Sequence, residues 1–125
     1  MQPVRRTFIA LLLVAVIATL LSAVPAGAHA VLLESNPAQK SAVAGPDVPI
    51  KLRFNVRIDA LRSRLTLIRP DGATQALDIS KQTPADTLTA QVSGLAAGEY
   101  RLRWQVLASD GHITRGEIPF TVTVS

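Results

Sequence analysis

Apolar and polar residues alternate with a period of two along much of the chain. Ile50, Leu52, Phe54 and Val56 are separated by Lys51, Arg53 and Asn55, the pattern of a strand that turns one face toward a core. Tyr100, Leu102, Trp104 and Val106 alternate with Arg101, Arg103 and Gln105, and Ile118, Phe120, Val122 and Val124 alternate with Pro119 and two threonines. Shorter segments of the same kind are Ala30 to Glu34, Leu65 with Leu67, Leu77 with Ile79, and Leu88, Ala90 and Val92. Turn residues divide them: Asn36-Pro37, a loop holding Gly45-Pro46-Asp47, Pro70-Asp71-Gly72 and Ser93-Gly94. Pro119 has no N–H to donate and therefore belongs at a strand start or on an edge. No stretch beyond residue 28 sustains a helical period. About seven short strands predict an all-β fold, an antiparallel Greek-key sandwich or barrel that is immunoglobulin-like in outline. Leu95-Ala96-Ala97-Gly98-Glu99-Tyr100 matches the tyrosine corner of such folds.

One segment breaks the pattern. Phe8 to Val24 is almost continuously apolar, with Arg5 and Arg6 before it and Pro25-Ala26-Gly27-Ala28 after it. A basic start, an apolar middle and small residues at the end predict a secretory signal peptide over residues 1–28, cut after Ala28. An uncleaved membrane anchor is the competing reading. Arg5-Arg6-Thr7-Phe8-Ile9 is a partial twin-arginine match without the usual flanking residues, which favours the general export route. A single domain of 97 residues, 29–125, then remains of the 125.

Removal of Arg5 and Arg6 from 13 basic residues leaves 11 against 9 acidic ones, a net charge of +2. With no basic run and no interleaved aromatic residues, nucleic acid is not an expected partner. The chain has no cysteine, and its single methionine is Met1. An exported domain of this size often relies on disulfides, so this one depends on its core. The exported part also offers neither thiolate nor thioether to a metal.

The chain's two histidines, His29 and His112, stand at informative places. Cleavage after Ala28 makes His29 the first residue and frees its α-amine, so that one residue supplies two nitrogen donors. Once either binds an ion, the other is already held close. Asp110 and His112 are two residues apart around Gly111, so their side chains share a face in an extended segment, and the glycine permits a tighter path otherwise. Three nitrogens and one oxygen suit copper(II), favoured over nickel(II) by the Irving–Williams order. Copper(I) would select sulfur. The plainer readings are that Asp110-Gly111 is an ordinary hairpin turn, Trp104 and Phe120 are core, and Arg101 and Arg103 form a solvated strand face. A cut after Ala30 would discard His29.

Taken together, these residues resemble the CopC family of periplasmic copper-binding proteins. The likeness runs from His29-Ala30 and Ser35-Asn36-Pro37-Ala38 to Gly98-Glu99-Tyr100, Trp104, Ser109-Asp110-Gly111-His112, Gly116 and Phe120-Thr121-Val122. It implies a cupredoxin-like β-barrel and copper(II) ligands at His29, Asp110 and His112, with the His29 amine as fourth donor. It also implies a role in copper homeostasis or resistance and a CopD-type membrane partner. The methionine-rich copper(I) loop of some members is lacking, so one copper(II) ion and a monomeric carrier are expected. Asn55 replaces an acidic residue found in many members, and Lys40-Ser41 departs from a loop glycine, read as a difference without consequence. Two other functions compete: a copper-dependent oxidase or monooxygenase built on a histidine brace, and a metal-free structural β module. The small, aromatic-poor domain and the oxygen ligand at Asp110 speak against the enzyme.

Overall fold

The computed structural model describes residues 29–81 and 84–124. The expected leader, residues 1–28, and Ser125 lie outside the described residues. Eight strands run through them, one more than expected: β1 (Leu32–Asn36), β2 (Ser41–Ala44), β3 (Val48–Phe54), β4 (Arg64–Ile68), β5 (Thr74–Leu77), β6 (Thr87–Val92), β7 (Gly98–Leu107) and β8 (Ile113–Thr123). A single 3-10 turn, Ala60–Arg62, sits between β3 and β4. Strands β1-β3-β6 form one sheet and β2-β8-β7-β4-β5 the other. Among the described residues no helix is long and apolar enough to cross a membrane.

The alternation read from the sequence lands where it was expected. Val48, Ile50, Leu52 and Phe54 of β3 point inward, as do Tyr100, Leu102, Trp104 and Val106 of β7 and Ile118, Phe120 and Val122 of β8. They meet Leu65 and Leu67 of β4 and Leu88 and Val92 of β6 in one core between the sheets. Full burial of each such side chain contributes roughly 1.5–3 kcal/mol relative to exposure. That term carries the fold, because the chain has no disulfide to constrain its unfolded state. The tyrosine corner is present: Tyr100 OH donates to the Ala96 carbonyl at 2.7 Å. On the outer face Arg101 and Arg103 are exposed and both bind Glu117 at 3.2 Å. The Arg103 guanidinium, aided by Arg101, holds the Glu117 carboxyl below the usual carboxylate range.

Four details depart from the sequence reading, the first being that the strand expected on Leu77 and Ile79 lies earlier, at Thr74–Leu77, and leaves Ile79 beyond its end. Strand β2 was read as loop; it pairs with β8 in the sandwich's one parallel ladder among the described residues, from Ser41 opposite Phe120 to Ala44 opposite Thr123. Its sequence, Ser-Ala-Val-Ala, carries one large apolar side chain and so shows no period. Pro119 lies inside β8 and not at its start. Its carbonyl accepts from Lys40 N–H at 2.7 Å, so its backbone faces away from β7, on a flank that β2 covers only from Phe120 onward. The expected edge position is therefore local. Lys40 itself has φ +60°, the left-handed region that costs a side-chain-bearing residue about 1–2 kcal/mol, so the exchange at this position has a backbone consequence.

Gly116 pairs with Trp104 across β7 and β8, and the indole lies directly over it. A Cβ at Gly116 would come within 2.3 Å of Trp104 Cζ2. The ring is also in edge-to-face contact with Phe54, at a centroid distance of 5.2 Å, which limits its freedom to move. Gly116→Ala should therefore destabilise the protein by about 1–3 kcal/mol through overpacking. Urea unfolding followed by the fluorescence of the single tryptophan checks this, and an unchanged midpoint would show that the ring is not held.

Candidate metal centre

Strands β7 and β8 are joined by a five-residue connection, 108–112, whose geometry its sequence dictates. Gly111 N–H donates to the Ala108 carbonyl and Ala108 N–H to the His112 carbonyl, both at 2.9 Å. Gly111 takes φ +90°, the left-handed residue that closes such a hairpin. Asp110 folds back over the turn, accepting from His112 N–H through Oδ1 at 3.1 Å and lying 3.1 Å from His112 Nδ1 through Oδ2. The carboxylate and imidazole expected to converge do so, through a turn and not along an extended strand.

The loop is anchored to the connection between β3 and β4. Ser109 N–H donates to the Arg57 carbonyl at 3.0 Å, and Ala108 bridges to Ile58. Ser63, one of the few buried polar residues, donates its hydroxyl to the Asp59 carbonyl at 2.6 Å and accepts from Leu107 N–H at 3.1 Å. Asp59 in turn caps the 3-10 turn and donates its own N–H to the Leu107 carbonyl at 2.9 Å. Sequence reasoning missed Ser63. Its only signal is an Asp59 cap four residues earlier, which predicts a turn but not the strand end it grips.

His29 arrives from the other sheet. Val31 N–H donates to Asn55 Oδ1 at 2.7 Å, and Asn55 N–H donates to the Val31 carbonyl at 3.0 Å. This two-bond clamp fixes the chain two residues from His29, immediately before Leu32 pairs with Phe54. Asn55 thus acts on the backbone that carries His29.

Of the three predicted site residues, His112 is the one both others approach: Asp110 through its carboxylate and His29 through its ring. The His29 and His112 rings meet edge to face with centroids 6.0 Å apart, although 83 positions separate them in sequence. Among the described residues no three His, Cys, Asp or Glu side chains form a preassembled metal cage. The structure instead shows an Asp110–His112 pair facing a second imidazole. The His112 backbone N–H, and then its ring, hold the Asp110 carboxyl below the usual carboxylate range. The contribution to stability is then present above the ordinary carboxylate pKa and is lost as pH falls through the lowered one. In metal-free protein Asp110→Asn should remove the part of the stability that is otherwise lost as pH falls through and below the ordinary carboxylate range. Urea midpoints of both proteins across that range check the sign; parallel curves would contradict it.

Comparison with known proteins agrees with this picture. The CopC domain family matches residues 32–123, a span that includes Asp110 and His112 and stops short of His29. The crystal structure of CopC from Methylosinus trichosporium OB3b is 30% identical, covers 77% of this chain and 95% of that one, and superposes with a TM-score of 0.69. PcoC, a methionine-rich copper resistance protein from Escherichia coli, is 28% identical, covers 77% of this chain and 100% of that one, and gives 0.62. The copper transport protein CutJ of Bacillus subtilis (strain 168) is 25% identical over 98 residues, 76% of this chain but 18% of that protein, so this chain spans about a fifth of that relative's length. The eight-stranded sandwich, the Asp110-Gly111-His112 hairpin and the matched span together establish that the chain belongs to the CopC family.

Proposed function

We propose that the exported form of this protein, beginning at His29, binds a single copper(II) ion and carries or sequesters it outside the cytoplasm as a monomer. The donors are the His29 amine and imidazole, the Asp110 carboxylate and the His112 imidazole. The observation that carries this reading is the approach of the His29 ring to His112, 6.0 Å between centroids, where Asp110 already lies 3.1 Å from His112 Nδ1. Adjacent donors of a square site with bonds of about 2 Å stand about 2.8–3 Å apart, close to the 3.1 Å between Asp110 Oδ2 and His112 Nδ1. A cation would enter at that edge, between the carboxylate and the imidazole. The second imidazole needs only to swing inward about its clamped backbone.

Oxidation state follows from the donor set. The exported part has no methionine, in contrast to the methionine-rich PcoC, so hard nitrogen and oxygen donors select copper(II). A carrier suits the site better than an oxidase, because Asp110 stands beside His112 in a position that oxygen activation would keep open. The resemblance to CopC proteins supports a CopD-type membrane protein as the recipient or source of the ion.

The native mass of exported protein, measured after addition of one equivalent of copper(II), tests this directly. The expected species starts at His29 and holds one copper, and His112→Ala should bind at least about 100-fold more weakly. A chain starting at Val31, or equal binding by His112→Ala, would refute the assignment. Asn55→Leu, which keeps the volume but loses the acceptor for Val31 N–H, should weaken copper binding about 10-fold. Asn55→Asp keeps the acceptor and should retain most of the affinity. Competition titration against a copper chelator reads both variants.

A further inference from the structure

Large apolar side chains left exposed are unevenly placed. Leu61 is 84% exposed, Val31 and Ile113 52% each and Leu33 50%. Val31, Leu61 and Ile113 belong to the end of the sandwich that holds His29 and His112, and Leu33 lies on the adjoining flank, by Glu34 and Trp104. Val31 is the residue clamped by Asn55, and Leu33 is the extra residue of a bulge where the β1–β3 register shifts between Leu32 and Glu34. Ile113 follows His112 and pairs with Leu107, and Leu61 tips the 3-10 turn whose base is tied to Leu107. Among the described residues the one other exposed large apolar side chain is Val124, at the far end of β8.

Charge is also uneven. In the middle of the sheets the arginines are paired: Arg53 with Glu34, and Arg101 and Arg103 with Glu117. Around the histidine end, Arg57, Arg64 and Arg115 are exposed and, among the described residues, have no carboxylate within ion-pair distance. Arg115 binds only Gln105, its neighbour in the row Arg64–Gln105–Arg115. Arg62 stands 3.8 Å from Asp59 with most of its side chain in solvent. The three aspartates here are each engaged: Asp59 as the turn cap, Asp86 with the Thr87 hydroxyl and Asp110 with His112. A bound copper(II) ion would add further positive charge.

From this we infer that the histidine end is a membrane-docking surface for bilayers of anionic phospholipid. Aliphatic side chains on separate protrusions, ringed by unpaired guanidinium groups, match the headgroup boundary, where apolar tips sink and cations meet phosphate. Four isolated tips on a turn, a bulge and two segment ends need a deformable acceptor more than a preshaped protein groove. Docking turns the metal site toward the bilayer, the place from which a membrane protein would give or take the ion. In that respect the inference rests on the copper reading, although the surface itself is defined without it.

The test uses the chain starting at His29, whose residues contain both sheets and the whole core, sedimented with phosphatidylcholine vesicles with and without phosphatidylglycerol. Binding is expected only with phosphatidylglycerol and should fall as salt rises. Leu61→Ser and Ile113→Ser should each weaken it. Arg57→Gln, Arg64→Gln and Arg115→Gln should each cost about fivefold. Val124→Ser and Arg101→Gln should leave it unchanged. Absence of binding, indifference to phosphatidylglycerol or equal losses in those two controls would overturn the inference. So would a Leu61-dependent dimer in solution, which would make a second copy the occupant. Copper(II) titration of the same proteins separates the two readings. Vesicle binding without copper binding leaves docking standing and removes the carrier; copper binding without vesicle binding does the reverse.

Discussion

The edge-on contact between Phe54 and Trp104 sets the geometry of the metal end. Phe54 is the last residue of β3, and the next residue, Asn55, holds Val31 and through it His29. Trp104 lies over Gly116, four residues along β8 from His112. The two rings, 5.2 Å apart, therefore fix the separation of the two sheets at the place where each delivers a histidine. Edge-to-face aromatic pairs prefer a narrow range of distance and angle, so this contact acts as a spacer as well as buried area. A smaller residue at either position would let the sheets close and bring the imidazoles out of register.

Much of this was legible in the sequence, and the reasons differ by element. Strands β3, β7 and β8 announced themselves because each buries one face and exposes the other, and period two records that. The tyrosine corner and the Asp110-Gly111 turn were legible because local chemistry determines them: a phenol reaching back four residues, and a glycine where φ must be positive. Strand β2 was not legible. Its place is decided by an open flank of β8, far away in sequence, and its small side chains carry no pattern of their own. The same holds for the bulge at Leu33, which exists only in relation to the register of β3.

At the site, side-chain identity was legible and support was not. His29 and His112 drew attention as the chain's two imidazoles, and Asp110 as the carboxylate beside one of them. Asn55 stood out only as a departure from an acidic residue expected near the ligands, whereas its observed partner is a backbone amide. Ser63 gave no signal, since a serine in a loop is unremarkable until the strand end it grips is known. Ligands are selected by chemistry that residue type reveals. Their supports are selected by geometry, which many residue types satisfy and which only the folded chain displays.

The division of labour between the two sheets gives the site its character. One histidine comes from the first residues of the three-stranded sheet and the other from a hairpin of the five-stranded sheet, and backbone hydrogen bonds hold each in place without a metal. The entropy of bringing distant segments together is thus met by the core during folding. On the proposed copper reading, an arriving ion has only to draw the His29 imidazole toward an Asp110–His112 pair that is already formed. The Asp110–His112 pair keeps a carboxylate charged and aimed at the site meanwhile. An open but ordered arrangement of this kind is what the proposed carrier requires more than a permanent store does. Under the proposed cut after Ala28, the His29 nitrogen would change from an amide, a poor donor, into a free amine, so the same cut would complete the proposed donor set.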